Sequence, residues 1–431
     1  MVSTRPVYRP PNAPQSHRLP AYVYWRRRAI VLFAALTIVV VGFLGVTLAF
    51  ALHNPSYGAS SQARVAEWGR QHGLGGFVTW VESEYYKLYP PKRGGTVTEN
   101  QLGYGPTSVT IPAGQLHEPA PPPIVSPVAN PLPGEGVWHV VARRTANGTP
   151  TVYEAFVRPD SIHTSYVVGV AWMDTMLLKA QLYSGSFIPG KGGPFAYSAP
   201  ITAKNSENLV AAFNGGFRMQ DANGGYYTQG KLIIPLRAGA ASVVVYKNGT
   251  ITLGKWGRDF TMSNQIQSVR QNLDLIVDHG AVSPGLSAVN AIKWGKTLGG
   301  TFNVWRSGLG VTKSGALVYV GGPALSITDL ANVLVRAGAV RGMQLDINTD
   351  WVSYSTFTGP LNTPINGGSG ANLLNTATES MIEPPSHYFI AWWSRDFYTM
   401  SIRDPYTKTT TTTTKKTTTT TKKTSNLTPV G

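Results

Sequence analysis

The longest apolar stretch of the chain covers residues 29–52, in which no side chain is charged. As a helix rising 1.5 Å per residue it would reach about 36 Å, enough to cross a hydrocarbon core of about 30 Å. Arg26, Arg27 and Arg28 precede it, so the positive-inside rule keeps residues 1–28 in the cytoplasm and exports everything beyond residue 53. The pattern predicts an uncleaved single-pass anchor, and cleavage as a signal sequence is the alternative.

A shorter helical pattern follows in residues 53–102. Two short helices are predicted there, broken by the glycine-rich residues 73–76, and apolar side chains recur at helical spacing in the second. We expect this juxtamembrane segment to pack on itself or on the bilayer surface. Residues 103–136 are rich in proline and predict a linker that is extended and stiff rather than packed.

From residue 137 onward the alternation changes to that of β-strands. Runs of β-branched, aromatic and other apolar residues predict strands over 151–157, 166–172 and 177–183. Two hairpins are predicted, one turning at Asn248-Gly249 and the other at Ser314-Gly315.

One strong helical signal interrupts this β pattern. Ser326 is placed to cap a helix, Asp329 completes a capping box, and an apolar face runs to residue 337. A strand over 340–345 comes directly afterwards. We therefore predict an α+β fold for residues 137–404: one strand-rich globular domain with a few covering helices.

The formal net charge of the whole chain is +16, and much of the positive charge is concentrated at its two ends. The Thr/Lys-rich residues 405–431 cannot form a core and predict a disordered, solvated tail, with attraction to anionic wall polymer or lipid headgroups as the alternative. The region between the ends is only mildly basic, which does not indicate a nucleic-acid interface. The sequence contains no cysteine, so thiol catalysis, cysteine-ligated zinc and iron–sulfur clusters are excluded.

Two short motifs of the domain could carry chemistry. An apolar strand delivers Asn214 onto Gly215 and Gly216, whose lack of side chains permits a close approach to a ligand, although an ordinary turn has the same sequence. Arg306 stands beside a Ser-Gly step at the start of the second hairpin, where it could bind phosphate or carboxylate, or be an ordinary surface arginine.

The segment GMQLDINTDW, residues 342–351, is the third motif. Asp346 falls at the carboxyl end of a predicted strand, the place where scaffolds present reactive side chains. The alternation of Asp346, Asn348 and Asp350 is that of half a calcium loop, but Phe357 stands where an EF-hand has its distal glutamate. An EF-hand is therefore excluded, while a looser site for Ca²⁺ or Mg²⁺ on these three residues stays open.

Together and in this order, the segments AAFNGGF, LDLIVDHGAVSPG, RSGLGVTKSGALVYVGG, GMQLDIN and SRDFYTM resemble the phosphodiester glycosidase family. The resemblance runs from about residue 137 to residue 397. It implies a hydrolase that releases a sugar from a sugar-1-phosphodiester. Asn214, Gly215, Arg306 and Asp346 match motif positions of the family, and Asp278 and Gly280 lie where it has a polar–glycine pair.

The resemblance and the chemistry of the bond suggest roles for these residues. Cleavage needs a carboxylate near the anomeric carbon and a cation on the phosphate. Asp346 is then the nucleophile or base, Arg306 the phosphate clamp and Asn214 a contact to a hydroxyl or phosphate. Gly216, His279 and Asp350 complete the expected substrate contacts, His279 as a proton shuttle and Asp350 as a partner carboxylate or metal ligand.

The chain departs from the family directly after Asp346. Many members have a glycine run there, whereas this sequence continues with Ile347, Asn348 and, shortly after, Trp351. Two alternatives follow: a tethered module that binds an anionic envelope glycopolymer without cutting it, and a metal-dependent hydrolase.

Overall fold

The computed structural model describes residues 20–58, 60–103, 106–111, 116–286, 294, 303–374, 383–391 and 393–403. The predicted disordered tail, 405–431, lies outside these residues, as does most of the basic N-terminus. The helices are α1 (Ala21–His53), α2 (Ser61–Gln71), α3 (Gly75–Leu88), α4 (Ala203–Ser206) and α5 (Ile327–Arg336), with 3₁₀ turns at Pro55–Tyr57, Glu99–Gln101 and Pro385–Phe389.

The strands, in chain order, are β1 (His139–Val141), β2 (Val152–Val157), β3 (Val168–Met173), β4 (Leu178–Tyr183), β5 (Leu209–Asn214), β6 (Tyr226–Thr228), β7 (Lys231–Ile234), β8 (Ala241–Tyr246), β9 (Ile251–Lys255), β10 (Ile266–Gln271), β11 (Leu275–Asp278), β12 (Ala281–Val282), β13 (Val304–Thr312), β14 (Leu317–Leu325), β15 (Ala339–Ile347), β16 (Tyr354–Phe357), β17 (Gly370–Asn372) and β18 (Phe397–Ile402).

Three antiparallel sheets form the domain. The largest has the order β1-β2-β3-β14-β13-β15-β11-β12, and two five-stranded sheets have the orders β7-β6-β10-β8-β9 and β17-β16-β5-β18-β4. Side chains from all three sheets meet in one apolar core that includes Phe213, Tyr319, Leu345 and Tyr398. The predicted strand-rich α+β domain is therefore confirmed.

Helix α5 covers the opposite face of the largest sheet. Its apolar side Ile327, Leu330, Val333 and Leu334 is buried in a second core cluster. The Ser326 hydroxyl accepts from the Asp329 amide, and the Asp329 carboxylate accepts from the Ser326 amide, so the predicted capping box is present. This helix fixes the path into β15, the strand that carries Asp346.

Helix α1 is long and apolar enough to cross a membrane, although a signal sequence would meet the same criterion. It begins eight residues before the predicted span and includes Arg26, Arg27 and Arg28. Helices α2 and α3 follow, separated near the predicted glycine break.

The proline-rich linker packs against the domain. In its described part Ile124 is buried in the core cluster beneath α5, and the Glu135 carboxylate pairs with Arg158 at 2.8 Å with both side chains nearly inaccessible. The prediction that this segment is unpacked is wrong, because an apolar and an acidic side chain each find a buried partner on the domain.

Candidate functional site

Asp346 lies in β15, one residue before its end, and is almost completely buried. Its amide donates to the Ser307 hydroxyl at 3.2 Å, and its carboxylate accepts from the Ile347 amide at 2.8 Å. Burial raises the pKa of the Asp346 carboxyl to about 7, against the opposing charge of Arg395. A carboxyl that titrates near neutral pH suits a base or a nucleophile.

Asn214, the last residue of β5, is connected to Asp346 through one hydroxyl. Its side-chain amide donates to Ser307 Oγ at 3.1 Å, and its carbonyl oxygen accepts from the Tyr319 hydroxyl at 2.9 Å. Ser307 Oγ therefore lies between Asn214 and the Asp346 amide. The structure brings together these two predicted site residues, which are distant in sequence.

The glycines after Asn214 allow a close approach of the backbone, as predicted. The group that approaches Gly215 is Asp396 of the protein itself and not a ligand. The Gly215 amide donates to the Asp396 carbonyl at 2.9 Å, and a Cβ on Gly215 would lie 2.6 Å from the Asp396 carboxyl carbon. Gly216 has a φ of +155° and lines a small cavity beside Asp346. A side chain at position 215 would displace the loop that carries Arg395.

Two arginines that the sequence patterns did not indicate hold a carboxylate next to Asp346. Arg218 follows the glycine turn, Arg395 precedes β18, and both donate to the carboxylate of Glu67 on α2, Arg395 at 3.4 Å. Burial alone would raise the pKa of Glu67, but the charges of Arg395 and Arg218 hold it below its usual range. The arginines therefore form an anion site, and Glu67 occupies it.

Arg395 retains unused hydrogen-bonding capacity. Its Nε and Nη1 atoms are buried and have no hydrogen-bond partner among the described residues. Its guanidinium lies over the Trp351 ring, 4.1 Å from the centroid. Unpartnered buried donors on a cation favour an anionic ligand, since each unmade hydrogen bond costs free energy.

A cavity of about 50 Å³ lies at this point, lined by side chains of α2, of α3 and of the domain. Its lining comprises Arg70, Glu82, Tyr86, Phe217, Arg218, Asp221, Asp346, Ile347, Asn348, Trp351 and Arg395. The second cavity, of about 10 Å³, lies between Asp346 and the end of β5. Asp346, Trp351 and Arg395 line both.

Behind the site a buried ion pair fixes the loop before β18. Arg270 Nε donates to the Asp396 carboxylate at 2.8 Å, and both side chains are inaccessible to solvent. The neighbouring Asn272 donates to the carbonyls of Gln344 and Leu345, at 2.7 and 3.0 Å, and so holds β15 from the same side. These contacts set the distance between Arg395 and Asp346.

Arg306, the predicted phosphate clamp, does not line either cavity. It is fully buried, and it donates to the Leu325 carbonyl at 2.8 Å and to the Gln344 side chain at 3.0 Å. Burial lowers its pKa to about 10. These contacts join β13 to the end of β14 and to β15, and the arginines that line the larger cavity with Asp346 are Arg70, Arg218 and Arg395.

Asp278 and His279 follow from β11, the strand next to β15, and they lie beside the opposite end of β15 from Asp346. Val277 pairs with Gly342, four residues before Asp346, a separation of about 14 Å at 3.4 Å per residue. The Asp278 carboxylate accepts from Arg258 at 2.6 Å, and the His279 side chain is 84% exposed. The structure does not bring this pair to the cavity with Asp346.

Asn348 and Asp350 form the turn that follows β15. Asn348, with φ of +103°, accepts from the Asp350 amide at 3.1 Å, and the Asp350 carboxylate accepts from the Ser60 hydroxyl at 3.3 Å. Throughout the part of the chain that the structure describes, no three His, Asp or Glu side chains are grouped for a metal. Of the three residues predicted for a metal, Asp346 and Asn348 line the larger cavity together with three arginines and Asp350 does not, so a site for Ca²⁺ or Mg²⁺ stays a prediction.

Sequence patterns missed Glu67, Arg218, Arg270, Arg395 and Asp396. A signal existed for two regions: Arg218 stands two residues after Gly216, and Arg395 and Asp396 belong to the SRDFYTM segment. Nothing in the α2 sequence marks Glu67, because its role depends on a contact with residues far along the chain.

No family model and no curated protein match the chain. Among solved structures, the catalytic domain of zebrafish N-acetylglucosamine-1-phosphodiester alpha-N-acetylglucosaminidase, described as auto-inhibited by its pro-peptide, is 14% identical with a TM-score of 0.36. The match covers 62% of this chain and 88% of that one.

Two further solved structures are similar at comparable distance. A hypothetical protein from Synechocystis is 11% identical with a TM-score of 0.31, covering 60% of this chain and 63% of that one. An exported protein from Burkholderia pseudomallei is 14% identical with a TM-score of 0.26, covering 55% and 74%. These are distant resemblances of fold, and they assign no function to this chain.

Proposed function

We propose that the protein is a hydrolase that cleaves a sugar from a sugar-1-phosphodiester. The observation that carries the proposal is the shared cavity of Asp346 and the Arg218–Arg395 anion site, in which a carboxyl with a pKa near neutral faces paired guanidinium groups. A carboxylate beside an anion site is what the cleavage of a glycosyl phosphate requires.

In this reaction the bond between the anomeric carbon and the phosphate oxygen breaks. The oxygen retains the electron pair and leaves as a phosphomonoester, while water supplies the new hydroxyl of the sugar. Asp346 acts on the anomeric carbon as the nucleophile, or takes the proton of the attacking water. Arg218 and Arg395 stabilise the charge that develops on the leaving phosphate.

The second carboxylate behind the site supports the choice of a phosphate leaving group. Most glycosidases use one carboxylic acid to protonate the departing oxygen. Here Asp396 is paired with Arg270, so it is not available as that acid. A phosphomonoester needs little protonation to leave, and cationic arginines can take the place of the acid.

The proposed location is the outer face of a membrane. Helix α1 anchors the chain with residues 1–28 in the cytoplasm, and the domain meets a sugar phosphodiester or anionic glycan of the cell envelope. The excess of arginine before the apolar run supports this orientation.

The test measures the release of reducing sugar from a panel of sugar-1-phosphodiesters by the full-length protein in detergent. Because Glu67 occupies the anion site, the assay is run in the parent and in the Glu67→Ala background. We expect release in at least one background and its loss when Asp346→Asn is added. Asp274→Asn, which removes a carboxylate paired with Arg237 at 2.7 Å on the surface, is the matched control.

Absence of release in both backgrounds would contradict the proposal. If a phosphodiester still raised the unfolding temperature, and more so in the Glu67→Ala protein, the chain would be the binding module instead. The same site favours that second function by one observation: Glu67, Glu82 and Asp396, three acidic groups around the site, are each paired with an arginine.

A further inference from the structure

Helix α3 presents an exposed apolar face at the end of the proposed membrane anchor. Its large exposed side chains recur every three or four residues, which places them on one side of the helix. They are Phe77, Trp80, Val81, Tyr85 and Leu88, continued by Tyr89, and they are between 44% and 73% exposed. A soluble domain rarely leaves so many contiguous apolar side chains uncovered.

The opposite face of α3 contacts α2 and the domain. Glu82 pairs with Arg70 of α2 at 2.5 Å, and Tyr86 packs on the apolar cluster that contains Phe217 and Ile347. The two faces therefore have different surroundings, and the aromatic face has no covering element among the residues that the structure describes.

Contacts between α2 and the end of α1 hold α3 near the membrane boundary. Trp68 Nε1 donates to Thr47 Oγ1 at 3.1 Å, and Arg64 donates to the Leu52 carbonyl at 2.7 Å. Trp68 is also buried in a cluster with Ala51 and Tyr57. Since only residues 72–74 separate α2 from α3, the aromatic face begins close to the exit point of α1.

The aromatic composition of this face favours the headgroup region of a membrane as its partner. Trp and Tyr concentrate where membrane proteins cross the headgroup region, and amphipathic helices with such faces lie in that plane. The other end of α1 has the same kind of residues: Tyr22, Tyr24 and Trp25 are exposed directly before its arginines. Aromatic groups thus flank the apolar span on both sides.

We propose that the aromatic face of α3 lies in the headgroup region of the bilayer that α1 crosses. The inference rests on the anchoring part of the proposed function. Because α3 also lines the cavity with Glu82 and Tyr86, this contact holds the candidate site at the membrane surface.

The absence of cysteine from the sequence permits a direct test with single labelled positions. The full-length Val81→Cys, Val40→Cys and Lys247→Cys proteins would carry an environment-sensitive fluorophore in phosphatidylcholine and phosphatidylglycerol vesicles. We expect a blue shift at Val81 and quenching by nitroxides attached near the lipid headgroup. Val40, inside α1, should respond to nitroxides deep in the acyl chains, and Lys247, on the exposed hairpin turn, to neither.

The outcomes separate the inference from the anchoring. If Val40 is not quenched, α1 does not span the bilayer and both ideas fail. If Val40 is quenched while Val81 behaves as Lys247 does, the inference alone is overturned. Shielding of Val81 from aqueous iodide that disappears on dilution of the protein in lipid would assign the face to a second copy, which also overturns it. Thermal unfolding of each labelled protein verifies that it is folded.

Discussion

At the scale of single residues, burial and the charge of Arg395 act on Asp346 in opposite directions. Burial favours the neutral form of the Asp346 carboxyl, and the nearby Arg395 charge favours the anion. The result is a carboxyl that changes its charge near neutral pH, and its ionisation responds to whatever anion pairs with the arginines.

The pH dependence of hydrolysis follows from this balance. As nucleophile or base Asp346 must be ionised, so kcat/KM should rise as pH passes through about 7. A pH–rate profile of the Glu67→Ala protein, whose anion site is no longer occupied by Glu67, measures the pH dependence of kcat/KM. A rate that instead falls above this pH would show that the protonated carboxyl is the active form.

Stability should have the opposite pH dependence. A carboxyl whose folded-state pKa exceeds its usual 3.8 stabilises the fold fully below 3.8, and the contribution is lost as pH rises through about 7. The measurement compares the unfolding midpoints of Asp346→Asn and of the parent between pH 3.8 and about 7. Their difference isolates the contribution of the Asp346 carboxyl from that of the other acidic groups.

Arg395 should contribute both to substrate binding and to the stabilisation of the leaving phosphate. Hydrogen bonds to charged groups are worth about 1.5–3 kcal/mol, so Arg395→Gln should lower kcat/KM for a phosphodiester roughly ten- to hundredfold, with part of the loss in KM and part in kcat. Steady-state kinetics measure the split. Arg336→Gln is the control, because this exposed arginine lies on α5, away from the cavity, and donates to the Val125 and Ser126 carbonyls. A loss confined to kcat would contradict the binding role.

The sequence allowed only part of this site to be predicted, for a physical reason. Asp346 and Asn214 stand at strand ends, and a strand end is visible in the local pattern of apolar residues. Glu67, Arg218 and Arg395 acquire their roles by meeting across three segments of the chain. Periodicity carries no information on such a meeting, and a buried arginine such as Arg306 looks the same in sequence as one that faces a cavity.

At the scale of elements, α2 acts as a cover for the anion site. Its buried residues are Ala63, Glu67, Trp68 and Gly69, and Glu67 supplies the charge that the two arginines hold. On the proposed function, a substrate phosphate that binds both arginines would displace this carboxylate, so the position of α2 would determine access.

Glu67→Ala should therefore raise kcat/KM while it lowers stability. Removal of one partner of a buried ion pair typically costs about 3–5 kcal/mol, because the remaining charges are left unpaired. Glu84→Ala, which breaks an exposed pair with Lys87 on α3, should cost at most about 1 kcal/mol and leave the rate unchanged. Kinetics together with thermal unfolding measure both effects. Folded Glu67→Ala protein with no gain in rate would rule out the covering role.

The elements themselves were largely predictable. The hairpins at Asn248-Gly249 and Ser314-Gly315 and the capped helix α5 depend on contacts within a few residues, which turn and capping residues record directly. The packed linker was not predictable, since proline-rich composition describes local stiffness and contains no information on which surface the segment meets.

At the scale of the whole molecule, β18, the last strand in the described part of the chain, completes one of the five-stranded sheets. β18 lies between β5 and β4, and it pairs with both along its length. β4 and β5 precede β18 in the chain by more than two-thirds of the length of the domain, and they depend on it for their order in the sheet.

A chain that ends at residue 396 should consequently fail to fold. Without β18, β4 and β5 would each expose an unpaired edge, and such edges associate with other chains. Circular dichroism and size-exclusion chromatography should show loss of the native spectrum and aggregation. A chain that ends at residue 403 should stay folded, since the Thr/Lys-rich composition beyond it adds nothing to a core. A monomeric, native-like protein ending at residue 396 would contradict the expectation.

This arrangement has a consequence for biosynthesis. On the proposed topology, α1 and the covering α2 would be made first, and Arg395, Asp396 and β18 would reach the outer face after the other described strands of the domain. A partly exported chain therefore lacks half of the anion site and the strand that orders β5. On the proposed function, hydrolysis begins only when translocation of the domain is complete. Every active molecule is therefore one that is fully translocated and folded.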